Sequence, residues 1–387
     1  MEENLKRLTP RRNEELFSDV NIPLLMKGNV INSQDPCKAA LELFTDPSIP
    51  KLVLPVATPS QESLEYITDA YTVVYICLTG LAKIICKYKI KITEETKAML
   101  KGSLDTITSS DYMTVGVNER GRFYRTLGED IEREYDYFVS GLNEFLSQVE
   151  VVDGAKILES DFPHDLNILK DGIDETVLRT IMACHSYKLT WLTFDNAIGS
   201  LVERYGIDIY PMHLFANKIS GQETIDARLH GLKLHVFSGL PFPVHNEDIL
   251  DLIIKFDYTS LTVLRKIFER HEVSIKSNEG LRAALDAMPL YIIYKLEGKV
   301  DARVYQAAVA LLNTVFRFQI SRKDGNSAEY KLAISITQSA FNARKAGINA
   351  AKLNHFYGAF IWGHFLDRRM IIKYLRDEQP VPYNHIT

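Results

Sequence analysis

Between Asp174 and Asp195 the chain reads Asp-Glu-Thr-Val-Leu-Arg-Thr-Ile-Met-Ala-Cys-His-Ser-Tyr-Lys-Leu-Thr-Trp-Leu-Thr-Phe-Asp. Val177, Leu178, Ile181 and Met182 recur at helical spacing and give one apolar face. Asp174 stands in front of them, where an acid complements the positive end of a helix. His185, Ser186, Tyr187 and Lys188 read as a turn. Leu189, Trp191, Leu192 and Phe194 suit a buried strand in which Thr190 and Thr193 are tolerated. Asp195 opens a second helix through Ile198, Leu201 and Val202; Gly206 ends it, and Ile207, Ile209 and Tyr210 suggest one more strand. Alternating helix and strand implies a parallel α/β sheet. Such a sheet places both acids at the carboxyl edge of its strands, where these sheets carry their sites.

A chain of 387 residues is long enough for two or three domains, each with its own core. Cys37, Cys77, Cys86 and Cys184 show no paired spacing, so neither a disulfide framework nor a zinc site is indicated, which fits a reducing compartment. The first residues, with Glu2, Glu3, Lys6 and Arg7, lack the apolar stretch of a signal peptide, and a cytoplasmic setting is expected. The apolar run from Ala70 to Cys86 is shorter than a spanning helix and is interrupted by Gly80 and Lys83; it reads as core, with no membrane partner. The net charge of −5 is unevenly spread, the first 210 residues being acidic and the remainder basic. A basic half suits an anionic polymer, although mild asymmetry between domains is also ordinary.

Residues 1–50, broken by Pro10, Pro23, Pro36, Pro47 and Pro50, read as an irregular or helical leader. A domain over 51–215 follows. Its expected elements are strands at Lys51–Val56, Leu64–Thr68 and Lys89–Ile92, a helix through Leu78 to Ile85, and a helix beginning at Thr93-Glu94-Glu95. Residues 105–160 fit the sheet pattern poorly and read as an insertion, with a charged helix over Glu129–Val149 and a strand over Val151–Leu158. Beyond Pro211 the periodicity turns helical, in segments 247–255, 260–271, 279–295, 301–320, 329–346 and 350–377, so 216–387 is expected to be an all-α domain. No P-loop, Gly-x-Gly-x-x-Gly, HExxH or Gly-x-Ser-x-Gly pattern is present, which disfavours those nucleotide, zinc-protease and hydrolase sites.

The series Asp69, Thr93-Glu94-Glu95, Asp174, Thr193-Phe194-Asp195 resembles a PIN domain, the metal-dependent nuclease family that includes toxin nucleases and RNA-processing enzymes. Leu192-Thr193-Phe194-Asp195 resembles the family's strand-end Thr/Ser-x-Asp, Asp174 the acid opening the preceding helix, and Ile67-Thr68-Asp69 the end of its first strand. The resemblance covers about 51–215. It implies a PIN-like parallel-sheet Rossmannoid sandwich followed by an all-α C-terminal domain. It further implies phosphodiester hydrolysis with Mg²⁺ or Mn²⁺, RNA in preference to DNA, and the setting of a toxin or defence effector.

By that resemblance Asp69, Asp174 and Asp195 bind metal, Glu95 completes the catalytic set, and Thr193 orients the site through its hydroxyl. Hard cations take oxygen ligands, so three or four carboxylates suffice. Arg122 and Arg125, with Arg120 and Arg133, are candidates to meet phosphate, against the plainer reading of a solvated helical face. Arg344, Lys345, Lys352, Arg368, Arg369, Lys373 and Arg376 interleave with Phe341, Phe356, Tyr357, Phe360, Trp362, Phe365 and Tyr374, a pattern that suits RNA or, more plainly, an amphipathic helix with aromatics in the core. The helical half is the expected site of a protein regulator or a second copy of the chain. Each Asp taken singly is equally a helix cap, and the rival to a nuclease is a PIN-like scaffold without catalysis.

Overall fold

The computed structural model describes residues 17–51, 65–85, 87–108, 113–117, 123–127, 136–153, 162–272, 279–298, 300–321, 325–345 and 350–377. The chain divides into two compact units, residues 1–243 and 244–387. The first is built on strands β1 (Tyr66–Thr68), β2 (Ile90–Ile92), β5 (Glu150–Val151), β6 (Thr190–Thr193) and β7 (Ile209–Pro211). They form one sheet in the order β5-β2-β1-β6-β7, and every pairing is parallel. Tyr66, Ile67 and Thr68 are all buried, as expected of a strand covered on both faces. The chain builds outward from β1 to β2 and β5, then returns to β6 on the other side, so the topological switch lies between β1 and β6.

Helices cover this sheet. The run Ala70–Leu78 (α3) is buried at all nine positions, the signature of a helix packed on every side. A short turn of helix, Ala82–Ile85 (α4), follows. Among the described residues no helix is long and apolar enough to cross a membrane. Helix α5 (Glu94–Thr108) follows β2, and α6 (Asp136–Gln148) packs on α3 and α5. Helix α7 (Glu175–Tyr187) leads into β6, and α8 (Asn196–Glu203) joins β6 to β7. Then come α9 (Met212–Ile219) and α10 (Ile225–Ser238), which close the first unit.

Four sequence expectations change. The leader is not separate: α1 (Leu24–Ile31) and α2 (Pro36–Thr45) lie in the first unit, and α2 packs on α3 with Cys37, Ala39, Ala40, Leu41, Leu43 and Phe44 buried. The supposed insertion is mostly scaffold, since α5 and α6 cover the sheet and β5 pairs with β2; the antiparallel hairpin β3 (Met113–Val117) and β4 (Phe123–Leu127) stands outside the sheet. The break between units falls at 243/244 instead of 215/216, because α9 packs on β7 and α10 on α2. His185, Ser186 and Tyr187 are helical, and Lys188 alone, at φ 54°, makes the turn into β6. The strand expected over Lys51–Val56 lies outside the described residues from 52 on, as do residues 129–135 and 154–158 of the helix and strand expected there.

Among the described residues of the second unit every regular element is a helix: α11 (Asn246–Lys255), α12 (Tyr258–Arg270), α13 (Glu279–Lys295), α14 (Ala302–Ile320), α15 (Ala328–Lys345), α16 (Ala350–Gly363) and α17 (Arg368–Asp377). The expected single helix over 350–377 is two. Phe365 takes a left-handed conformation at φ 55°, and the Leu366 amide donates back to the Ile361 carbonyl, which closes α16. The aromatic–basic series divides accordingly. Tyr357 and Phe360 pack on Phe316 in the core, while Trp362 and Phe365 face outward beside the exposed Arg368 and Arg369.

Candidate metal centre at the sheet edge

Thr68 pairs with Leu192, so the residues that leave β1 and β6 emerge side by side at the carboxyl edge. Asp69 leaves β1 and caps α3. Its Oδ1 accepts from the Thr72 amide at 2.9 Å, and its Oδ2 accepts from the Thr72 hydroxyl and the Trp191 indole N–H, both at 3.0 Å. Thr72 in turn accepts the Phe194 amide through Oγ1 at 3.1 Å, so the turn after β1 is hydrogen-bonded to the turn after β6. Phe194 is clamped between the rings of Phe44 and Tyr75, with centroids 5.0 and 4.9 Å away, which fixes the backbone that presents Asp195.

Asp195 caps α8, its Oδ1 accepting the amides of Ala197 and Ile198 at 2.9 and 3.1 Å. Its Oδ2 accepts the Leu25 amide at 2.8 Å, from a residue 170 positions away. Thr193 Oγ1 accepts the Asp195 amide at 3.1 Å, so this hydroxyl orients the acid by holding its backbone. Asp174 caps α7 through Oδ1, which accepts from the amides of Thr176 and Val177 and from the Thr176 hydroxyl. Its Oδ2 is buried without a hydrogen-bond partner. Glu95, in the first turn of α5, likewise has a buried Oε2 without a partner, whereas Glu94 is exposed. Helix α5 packs on α7, so these two acids belong to contacting elements.

All three aspartates are therefore helix caps, and all three lie in buried positions at one edge of the sheet. Burial pushes the Asp69 carboxyl up to about 6 in spite of its three donors, with a further upward push from Asp174. Burial also raises Asp174 and Asp195, against the hydrogen bonds that favour their charged forms.

The donor chemistry suits a hard divalent ion: oxygen ligands only, two of which, Asp174 Oδ2 and Glu95 Oε2, have no other use for their lone pairs. Completeness does not follow. Among the described residues no group of three or more acidic, histidine or cysteine side chains is placed to hold a metal. Asp69 and Asp174 influence one another, while the charge acting with Asp195 is Lys27. Arg125 lies on β4 opposite Val115, and Arg122 lies outside the described residues.

Sequence reasoning missed Lys27, Tyr71, Thr72 and Trp191. Trp191 was legible only as a strand residue, although an indole on the strand beside Asp69 is a ready donor. Tyr71 is buried against the same edge, with its hydroxyl unpartnered and its ionisation pushed up by burial and then by Asp174 and Asp69. Nothing in the sequence signals that Leu25 and Lys27 reach Asp195. Cys37, Cys77 and Cys184 are buried.

Residues 67–203, from β1 to the end of α8 and including all four acids, match the family model described as the PIN domain associated with the TPR-GreAB-C-PIN system. No curated protein and no solved structure matches the chain.

Proposed function

We propose that residues 67–203, which form a PIN-family domain, hydrolyse phosphodiester bonds in RNA with Mg²⁺ or Mn²⁺. The observation that carries this reading is the pair of buried, partnerless carboxylate oxygens on Asp174 and Glu95, set at the same sheet edge as Asp69 and Asp195. A bound divalent cation supplies charge neutralisation of the phosphate and a water of lowered pKa. The protein supplies position. Asp69 is fixed by the amide and hydroxyl of Thr72 and by Trp191, Asp195 is fixed through Thr193, and the Asp174 and Glu95 oxygens remain open to a ligand. In this reading Asp69, Glu95, Asp174 and Asp195 form the catalytic set, Thr193 positions it, and Arg122 and Arg125 meet phosphate. The helical unit serves as the module for a protein regulator or a second copy of the chain, in a cytoplasmic toxin or defence effector; that setting is analogy at the level of the fold.

A second reading, a non-catalytic scaffold, is favoured by one specific observation: both oxygens of Asp195 are already engaged by amides. Single-stranded RNA and DNA of one sequence, incubated with the full chain in millimolar Mn²⁺, separate the readings. The nuclease reading expects RNA to be cut faster than DNA, with the rate falling at least 100-fold in Asp174→Asn. Intact RNA with a protein shown to be Mn²⁺-saturated would leave the scaffold.

A further inference from the structure

We propose that helix α1 is a built-in plug of the metal centre, seated on Asp195 in place of a cation and withdrawn when the cation binds. The proposal rests on the metal reading above and concerns what controls access to it.

Residues of α1 reach both sides of the acidic edge. On the β6 side, the Leu25 amide occupies Asp195 Oδ2. Asp195 Oδ1 is committed to capping α8, so α1 holds the oxygen that remained for a ligand. Lys27 follows, 1 % exposed, its ammonium donating to the Phe17 carbonyl at 3.1 Å and acted on by Asp19 and Asp195. A small cavity lined by Pro23, Leu24, Lys27, Asp195 and Ala197 lies at this junction. On the other side, Gly28 sits so close to Tyr71 that a Cβ there would run into the phenol ring. Met26 approaches Gly172, two residues ahead of Asp174, with its Cε 3.0 Å from where a Cβ would stand.

The chemistry of this seat suits something removable. The buried residues of α1 are Leu24, Leu25, Lys27 and Gly28, so half of its buried set is a charge and a residue without a side chain. Its neighbour α2 is held by seven buried residues, from Pro36 to Phe44. Burial of Lys27 disfavours its charged form, while the nearby carboxylates favour it. Asp195 would hold a divalent ion through the Oδ2 lone pairs that the Leu25 amide now occupies, and the charge of such an ion would repel the Lys27 ammonium. Closed and loaded states are then mutually exclusive, and the apparent metal affinity falls by the fraction of molecules that are open.

The test uses the full chain and two variants that leave every acid intact. Gly28→Ala wedges α1 off Tyr71, and Leu25→Pro deletes the amide while leaving Tyr71 alone; circular dichroism checks that both are folded. Mn²⁺ binding is read from the paramagnetic resonance of the free ion, and the position of α1 from hydrogen exchange over residues 24–31. The expected result is at least tenfold tighter Mn²⁺ binding in both variants, and faster exchange over 24–31 when wild type is saturated with Mn²⁺. Equal, measurable affinity in all three proteins, with exchange over 24–31 unmoved by the ion, overturns the plug and leaves the metal reading standing. No Mn²⁺ binding in any of them, although 24–31 exchanges freely in a variant, overturns the metal reading and the plug with it.

Discussion

Asp69 shows which effect wins when a carboxylate is both buried and well hydrogen-bonded. Two donations from Thr72 and one from Trp191 each favour the charged form, yet desolvation outweighs them and the group rises from 3.8 to about 6. The sign of the linkage follows. The folded state holds the proton more tightly than the unfolded chain, so this contribution to stability is fully present below 3.8 and is lost as the pH climbs through about 6. The span corresponds to about 3 kcal/mol. Asp174 and Asp195 are shifted the same way. Chemical denaturation of the metal-free protein at intervals from pH 4 to pH 7 is therefore expected to show stability falling across that range at these sites. Asp69→Asn, which cannot ionise, is expected to shallow the slope. An unchanged slope in the variant contradicts the assignment. The comparison is of slopes, because an asparagine amide turned toward the Trp191 N–H has its own cost at every pH.

At the scale of elements, helix α7 shows how little is needed to end a helix. His185, Ser186 and Tyr187 stay helical, and the turn is made by Lys188 alone, with its amide and that of Leu189 both returning to the Cys184 carbonyl. A left-handed backbone costs a residue with a Cβ roughly 1–2 kcal/mol. Lys188 is exposed, so glycine there sacrifices no packing. Lys188→Gly is expected to stabilise the first unit by about 0.5–1 kcal/mol after the entropic penalty of glycine, read as a higher denaturation midpoint. The same contrast explains what was legible from sequence. The openings of α3, α7 and α8 were visible because an aspartate followed by helical periodicity is a local signal. The Asp35-Pro36 start of α2 carries an equally local one, with Asp35 accepting the Lys38 amide, but it was submerged in a proline-rich stretch. The alternation in β3 and β4 was likewise there to read. The docking of α1 was not: the Leu25 amide and Asp195 meet only because the sheet brings α8 under it, and no spacing encodes that.

The whole molecule carries one tryptophan in each compact unit, and this makes a cation's target measurable. Trp191 is fully buried and donates to Asp69, so its fluorescence follows the acidic edge itself. Trp362 is 77 % exposed, already in water before the second unit unfolds. A chain with two cores need not unfold in one step. In Trp362→Phe the remaining indole reports the first unit, while far-ultraviolet circular dichroism follows the helices of both units, so a transition seen there and not in the fluorescence belongs to 244–387. A ligand that binds only the folded first unit, at a hundred times its apparent dissociation constant, stabilises it by about 2.7 kcal/mol. For a unit of this size that is a rise of roughly 5–10 °C. Mn²⁺ is therefore expected to raise the Trp191 midpoint by that amount and to leave the helical transition of the second unit where it was. Adding Asp195→Asn keeps a cap on α8 but removes a charged ligand, and should abolish most of the rise. If both transitions move together in Mn²⁺, the cation acts beyond the acidic edge of the sheet, and the metal centre proposed there is not its sole target.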